Sequence, residues 1–413
     1  ESPLALFRKY GGTAAGPAGP DLPVAWLPRE ARYREKLATP DVTIADLIGD
    51  VDPVKAATLK KTFADEEVLH YGIVPRTNRG IFAINELPDL APRIQVGLLN
   101  ILEERDLQIR GFPVRIPLDV VMVFSANPED YTNRGSIITP LKDRIASQVL
   151  THSPRDLATA KAITDQEAWC ERPLEGVEIR LPDAFKVLVE EVAFAARRSD
   201  LVDQASGVSA RMPIAMRELL VSNLERRALL TGETVVGPRL VDLAATLPAI
   251  TGKVEMVFEG EQQGAEIGAG TLVGEGGKAL FDSSFPPVEG PRARGERVRR
   301  READDGTSVP FVRERAPLSG PYERVVAWFT KERTLVLSDE TPFDRHLASL
   351  DAVDGLAELV AAHAKPADEQ ERAFLMELVL EGLVQSLRIA REDLDSTVTY
   401  VELARLNLMR GRS

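Results

Sequence analysis

The residues best placed to do chemistry are two neighbours at the end of an apolar run. In "GIFAINELPDL", Ile81, Phe82, Ala83 and Ile84 lead into Asn85 and Glu86. A carboxylate at a strand end can polarise a water molecule as a general base, and an amide oxygen beside it can accept a hydrogen bond from a metal-bound water. A second apolar run, "VVMVFSAN", ends in Asn127, whose amide could hold the same water or an anionic group. Three arginines follow: Arg134 in "TNRGS", Arg144 in "PLKDRI" and Arg211 in "SARMP". Each candidate also has a plainer reading. Glu86 could be an ordinary surface glutamate, Asn127 a turn residue before Pro128, Arg134 or Arg144 half of a surface ion pair, and Arg211 the start of a helix next to Pro213.

Positioning such groups takes a scaffold, and the apolar runs describe one. "VAWL" at 24–27, "GIFAIN" at 80–85 and "VVMVFSAN" at 120–127 read as strands bounded by turn residues. Continuous apolar strands are buried on both faces, which points to a parallel α/β sheet. Between the last two strands, Ile94, Leu98, Ile101 and Leu102 share one helical face, as in a crossover helix. From Pro154 to about Gly252 the pattern is helical, with helices expected near 155–168, 183–198, 213–230 and 238–250. "GEQQGAEIGAGTLVGEGG" and the arginine-rich segment at 292–301 read as connecting chain, with a linker at 286–310. "DEQERAFLMELVLEGLVQSLRIAREDL" reads as one long amphipathic helix with a core-facing stripe of Phe374, Met376, Leu378, Leu380, Leu383 and Leu387. The expected domains are therefore 1–152, an α/β core; 153–252, an all-helical unit; 253–319, a glycine- and arginine-rich connection; and 320–413, a mainly helical C-terminal region.

Composition bounds the function class. The 413 residues exceed the usual size of one domain, and 44% hydrophobic with 28% charged residues is ordinary for a soluble protein. No apolar run reaches the roughly 18 residues of a membrane span. A net charge of -13 argues against general nucleic-acid binding. The single cysteine, Cys170, excludes an internal disulfide framework and a cysteine zinc site, and it fits a reducing cytoplasm. His70, His152, His346 and His363 are isolated in sequence, without metal-ligand spacing.

The order of these motifs resembles the AAA+ ATPases of the magnesium chelatase I subunit and MoxR branch. The resemblance covers about residues 37–250. In that branch a Walker B strand is followed by a helix, an "EER" turn with a β-hairpin, a sensor 1 strand ending in Asn-Pro and a "DR" arginine finger; "GVSARMPIAMREL" resembles the sensor 2 helix. The resemblance implies an ATPase using ATP and Mg2+. Glu86 would be the general base, Asn127 sensor 1, Arg144 the finger with Arg134 its rival, and Arg211 sensor 2 on a helical lid. Asn85 stands where the family has Asp; it would still reach Mg2+ through water but adds no charge, so metal affinity should fall. The same resemblance implies a homo-oligomeric ring, expected to be a hexamer, working with a von Willebrand factor A domain partner in the cytoplasm, as a motor that remodels or loads a protein.

One part of that machinery is missing from these residues. The phosphate-binding loop G-x-x-x-x-G-K-[ST] does not occur, and the segments around Lys253 and Lys278 have the wrong spacing and lie after the lid. The loop is expected upstream of Glu1. Two other readings stay open: a non-hydrolysing AAA+-like scaffold, and an activator of the alternative sigma factor. The second requires a "GAFTGA" loop, which the chain lacks.

Overall fold

The computed structural model describes residues 27–60, 68–109, 115–127, 135–172, 175–204, 206–257, 264–288, 320–331, 333–394 and 397–403. These residues form two compact units, divided between Leu150 and Thr151.

The first unit is built on a three-stranded parallel sheet in the order β1 (Tyr33–Leu37), β4 (Ile81–Asn85), β7 (Val121–Phe124). The expected strands at 80–85 and 120–127 are β4 and β7. The third partner is "YREKL" at β1 rather than "VAWL": residues 24–26 lie outside the described residues, and Leu27 belongs to no regular element. Two small antiparallel pairs flank the sheet, β2 (Gly49–Val51) with β3 (Leu69–Tyr71) and β5 (Asp106–Gln108) with β6 (Arg115–Pro117). Helices α1 (Arg29–Arg32), α2 (Ile44–Leu47) and α3 (Pro53–Leu59) come before β4. The crossover from β4 to β7 is not one helix but two, α4 (Pro92–Gly97) and α5 (Leu99–Glu104), and α6 (Thr139–Arg144) follows β7.

Register explains which sheet face is covered. Phe82, Met122, Ile84 and Phe124 lie on one face, where the two β4 residues are buried and the two β7 residues pack against a core of Leu87, Leu90, Ile94, Leu98, Ile101 and Leu141. The opposite face carries Tyr33, Leu37, Ile81, Val121 and Val123, all exposed, Val121 to 60%, around the small Ala83, which is buried. The sheet is thus buried on one side, and the both-face burial expected from the apolar runs is not seen in the described residues.

The second unit packs around a single hydrophobic cluster running from Phe185 to Tyr400. Its helices are α7 (Leu157–Glu167), α8 (Asp183–Arg198), α9 (Arg211–Thr231), α10 (Leu247–Thr251), α11 (Ala265–Ser284), α12 (Glu323–Phe329), α13 (Phe343–Asp351), α14 (Leu356–His363) and α15 (Glu369–Gln385). The strands β8 (Glu178–Ile179) and β9 (Val235–Val236) pair in parallel, and β10 (Leu335–Ser338), β12 (Thr397–Glu402) and β11 (Ile389–Leu394) form an antiparallel sheet in that order. The C-terminal region is mainly helical, as expected, and adds this small antiparallel sheet.

Three expectations change here for identifiable reasons. The helix expected over 238–250 is a 3-10 segment, Leu240–Thr246, followed by α10, with Pro248 in the first turn of α10 where its missing N–H costs nothing. The glycine-rich stretch assigned to a connection is the 20-residue helix α11, packed on α8 and α15. Its glycines allow close approach: a Cβ on Gly276 would lie 2.6 Å from Val192 Cγ2, and one on Gly382 of α15 would strike the Phe281 ring. The long helix at the C-terminus stops at Gln385, and its sequel "IAREDL" turns back as β11. From Ala373 to Leu383 every residue of α15 is buried, so it is a central helix and not an amphipathic one. Most of the linker expected at 286–310, and all of the arginine-rich piece, lies outside the described residues.

Candidate functional site

Glu86 sits at the carboxyl end of β4, where a parallel sheet presents ligands. Its backbone is left-handed, with φ 57° and ψ 49°, a conformation that costs a non-glycine residue about 1 kcal/mol or more. A 3-10 turn, Leu87–Asp89, begins immediately afterwards, so the chain leaves the sheet at Glu86 and the side chain stays at the rim, half-buried. Among the described residues the Glu86 carboxylate has no hydrogen-bond partner.

Ser125 joins the ends of β4 and β7. Its Oγ accepts the Glu86 N–H at 3.2 Å and donates to Asn85 Oδ1 at 3.3 Å. Its own N–H donates to the Ile84 carbonyl at 3.0 Å, and its carbonyl accepts the Leu87 N–H at 2.9 Å. Asn127 follows two residues later, exposed at the same end of β7. Asn85, Glu86 and Asn127 are thus brought to one edge of one sheet. Sequence reasoning missed Ser125, although its place in "FSAN", opposite the end of β4, was a usable signal.

Arg144 ends α6, and its guanidinium is engaged. Nε and Nη2 approach Glu103 Oε2 at 2.8 and 2.6 Å, and Nη1 donates to the Pro140 carbonyl at 2.9 Å. Its partners therefore lie on α5 and α6, not at the β4 rim. The approach to α6 is fixed by Gln95, which is wholly buried. Gln95 Nε2 donates to the Leu90 carbonyl at 2.8 Å and the Ser136 carbonyl at 3.0 Å, while Oε1 accepts the Ile138 N–H at 2.9 Å. A fully buried amide with its donors and acceptor satisfied ties the segment after Glu86 to the segment before Arg144. Gly135 lets the same two stretches touch, since a Cβ there would collide with the Pro88 carbonyl. Arg134 lies outside the described residues.

Arg211 belongs to the second unit. It is the first residue of α9, two positions earlier than Pro213 implied, with its N–H on Ser209 Oγ at 3.2 Å and its side chain exposed. Six residues on, Arg217 is buried; it bonds Asp165 of α7 and lies 3.9 Å from Glu190 of α8. Burial pushes the Asp165 carboxyl up, but the Arg217 hydrogen bond and charge, with Lys186, leave it below the ordinary aspartate value. Arg217 braces the helix whose start carries Arg211, a role no local sequence feature announced. Among the described residues no group of histidine, cysteine and carboxylate side chains could hold a metal ion by itself, and no helix is long and apolar enough to cross a membrane.

No protein-family profile matches the sequence. The hydrogenase transcriptional regulatory protein HoxA of Cupriavidus necator is 32% identical over 87 residues, which is 21% of this chain and only 18% of that regulator. Among solved structures, a protein described as an ATPase from Cytophaga hutchinsonii is 15% identical and aligns over 59% of this chain and 76% of its own, at a TM-score of 0.25. The complex of magnesium chelatase subunits BchI and BchD aligns over 56% and 73% at 19% identity and a TM-score of 0.26. NtrX from Brucella abortus aligns over 47% and 41% at 18% identity and a TM-score of 0.28.

Proposed function

We propose that the protein is an AAA+ ATPase of the chelatase and MoxR type, a ring-forming motor that remodels or loads a protein partner. The observation that carries this reading is the Ser125 bridge. It ties the end of β4, which carries Asn85 and Glu86, to the end of the adjacent parallel strand, two residues before Asn127, which supports reading the two strand ends as Walker B and sensor 1. Glu86 serves as general base toward water, and Asn127 orients that water or the terminal phosphate; the sensor 2 role of Arg211 rests on the resemblance alone. Arg144 acts on a neighbouring subunit's nucleotide. The donors at the rim, Asn85, Glu86, Ser125 and Asn127, are all oxygen-bearing, which fits Mg2+ held through water; bound there, the ion would neutralise phosphate charge. The 413 residues contain no phosphate-binding glycine loop, and turnover is proposed for a protein that has one.

A ring, six subunits and a von Willebrand factor A domain partner belong to the same reading and rest on the resemblance. The scaffold reading is favoured by Asn85 in place of a carboxylate. ATPase assays on the full-length protein with Mg2+ separate the two: the motor turns over ATP and loses at least roughly a hundredfold in rate with Glu86→Gln, the range of general-base loss, while still binding ATP. A protein that binds no ATP is the scaffold. The HoxA likeness names a transcriptional regulator, but it spans too little of either chain to carry that role here.

A further inference from the structure

The Arg144 guanidinium spends both its Nε and Nη2 hydrogens on one carboxylate of its own chain. That carboxylate, Glu103, is in the last turn of α5, one residue from Glu104 and two from Arg105, whose left-handed backbone (φ 53°) turns the chain into the β5–β6 hairpin. The pair is a surface one, with the Arg144 side chain 29% exposed and that of Glu103 60% exposed. Exposed pairs are weak, so this one can exchange for a better anion, and a phosphate bearing several charges is one.

We propose that Glu103 is a positioning residue for Arg144. It holds the guanidinium on its own subunit until a neighbour's nucleotide competes for it, and so ties the finger's release to the helix that carries the hairpin. The inference rests on the proposed role of Arg144. It differs from a structural ion pair in what it requires: the pair is not the sole anchor of α6, because buried Gln95 holds the residues leading into it by two hydrogen bonds, to the Ser136 carbonyl and from the Ile138 N–H, and Leu141 within it is completely buried.

The test uses the full-length protein and three readouts: the melting temperature, modification of Arg144 by phenylglyoxal followed by peptide mass mapping, and ATP turnover. Glu103→Gln keeps the side-chain shape and removes the charge. Expected are an unchanged melting temperature, a two- to fivefold faster modification of Arg144 without nucleotide, and a rise in turnover of similar size, the range an exposed pair permits. Unchanged modification would show that Glu103 does not hold Arg144, and faster modification with reduced turnover would make Glu103 a support and not a restraint; either overturns the proposal. Arg144→Ala, run alongside, separates this from the reading beneath it. If that variant turns over normally, the finger assignment itself fails, whatever Glu103 does.

Discussion

At the scale of single residues the site depends on two hydrogen bonds made by one hydroxyl. Ser125→Ala leaves the Glu86 N–H and Asn85 Oδ1 without their partner, and a neutral hydrogen bond contributes about 1 kcal/mol. Turnover should fall on the order of tenfold in stopped-flow or steady-state assays while the melting temperature moves little. A full-rate Ser125→Ala enzyme would mean the strand ends are held by the backbone ladder alone. Asn85→Asp is expected to act in the opposite sense. It adds a charge at the rim, so, on the proposed function, a magnesium titration of ATP turnover should shift to lower concentration with the maximal rate nearly unchanged. No shift would place Asn85 away from the ion. The sequence showed Asn85, Glu86 and Asn127 through the apolar runs before them, because such strands deliver their terminal residues to a common edge. It did not show Gln95 or Arg217, since a lone polar residue in a helix looks solvated until tertiary packing closes over it.

At the scale of elements, close approach of backbones decides the second unit. Gly382 of α15 faces the Phe281 ring of α11 with no room for a Cβ, so Gly382→Ala forces one helix away from the other. Overpacking of this kind costs about 1 to 3 kcal/mol, and chemical denaturation should report a loss in that range. A neutral result would show that α11 and α15 can separate without cost. The same glycines explain why the sequence hid α11: composition that reads as flexible chain is, in a helix packed against two others, the means of packing. The strands β4 and β7 were legible because they are apolar throughout. β1 was not, because "YREKL" carries three consecutive charged residues at a sheet edge, and β11 was not, because its residues continue a helical pattern past the true end of α15.

At the scale of the whole molecule, the second unit is held by buried charge as well as by apolar packing. Arg227 bonds Asp242 at 2.5 Å and also the Gly237 carbonyl; Arg239 bonds the Ser338 and Thr341 carbonyls at 3.0 and 2.7 Å; and Glu377 receives Leu240 N–H at 2.7 Å while lying 2.8 Å from His346 Nε2. These contacts join the segment around α9 to β10, α13 and α15. Arg227→Met removes the ion-pair partner of the fully buried Asp242, which keeps only its hydrogen bonds from Asn223 Nδ2 and the Arg239 N–H, and breaking a buried pair costs about 3 to 5 kcal/mol, which calorimetry of the variant should detect. The claim with most at stake is larger than one chain: that the site is completed between subunits. Mixing full-length Arg144→Ala with full-length Glu86→Gln measures it directly, because some mixed interfaces then pair an intact Glu86 with an intact Arg144 from the neighbour. The account expects two proteins that are each inactive alone to regain partial ATPase activity on mixing, as a finger supplied in trans requires. Mixed rings that form and recover no activity would contradict it.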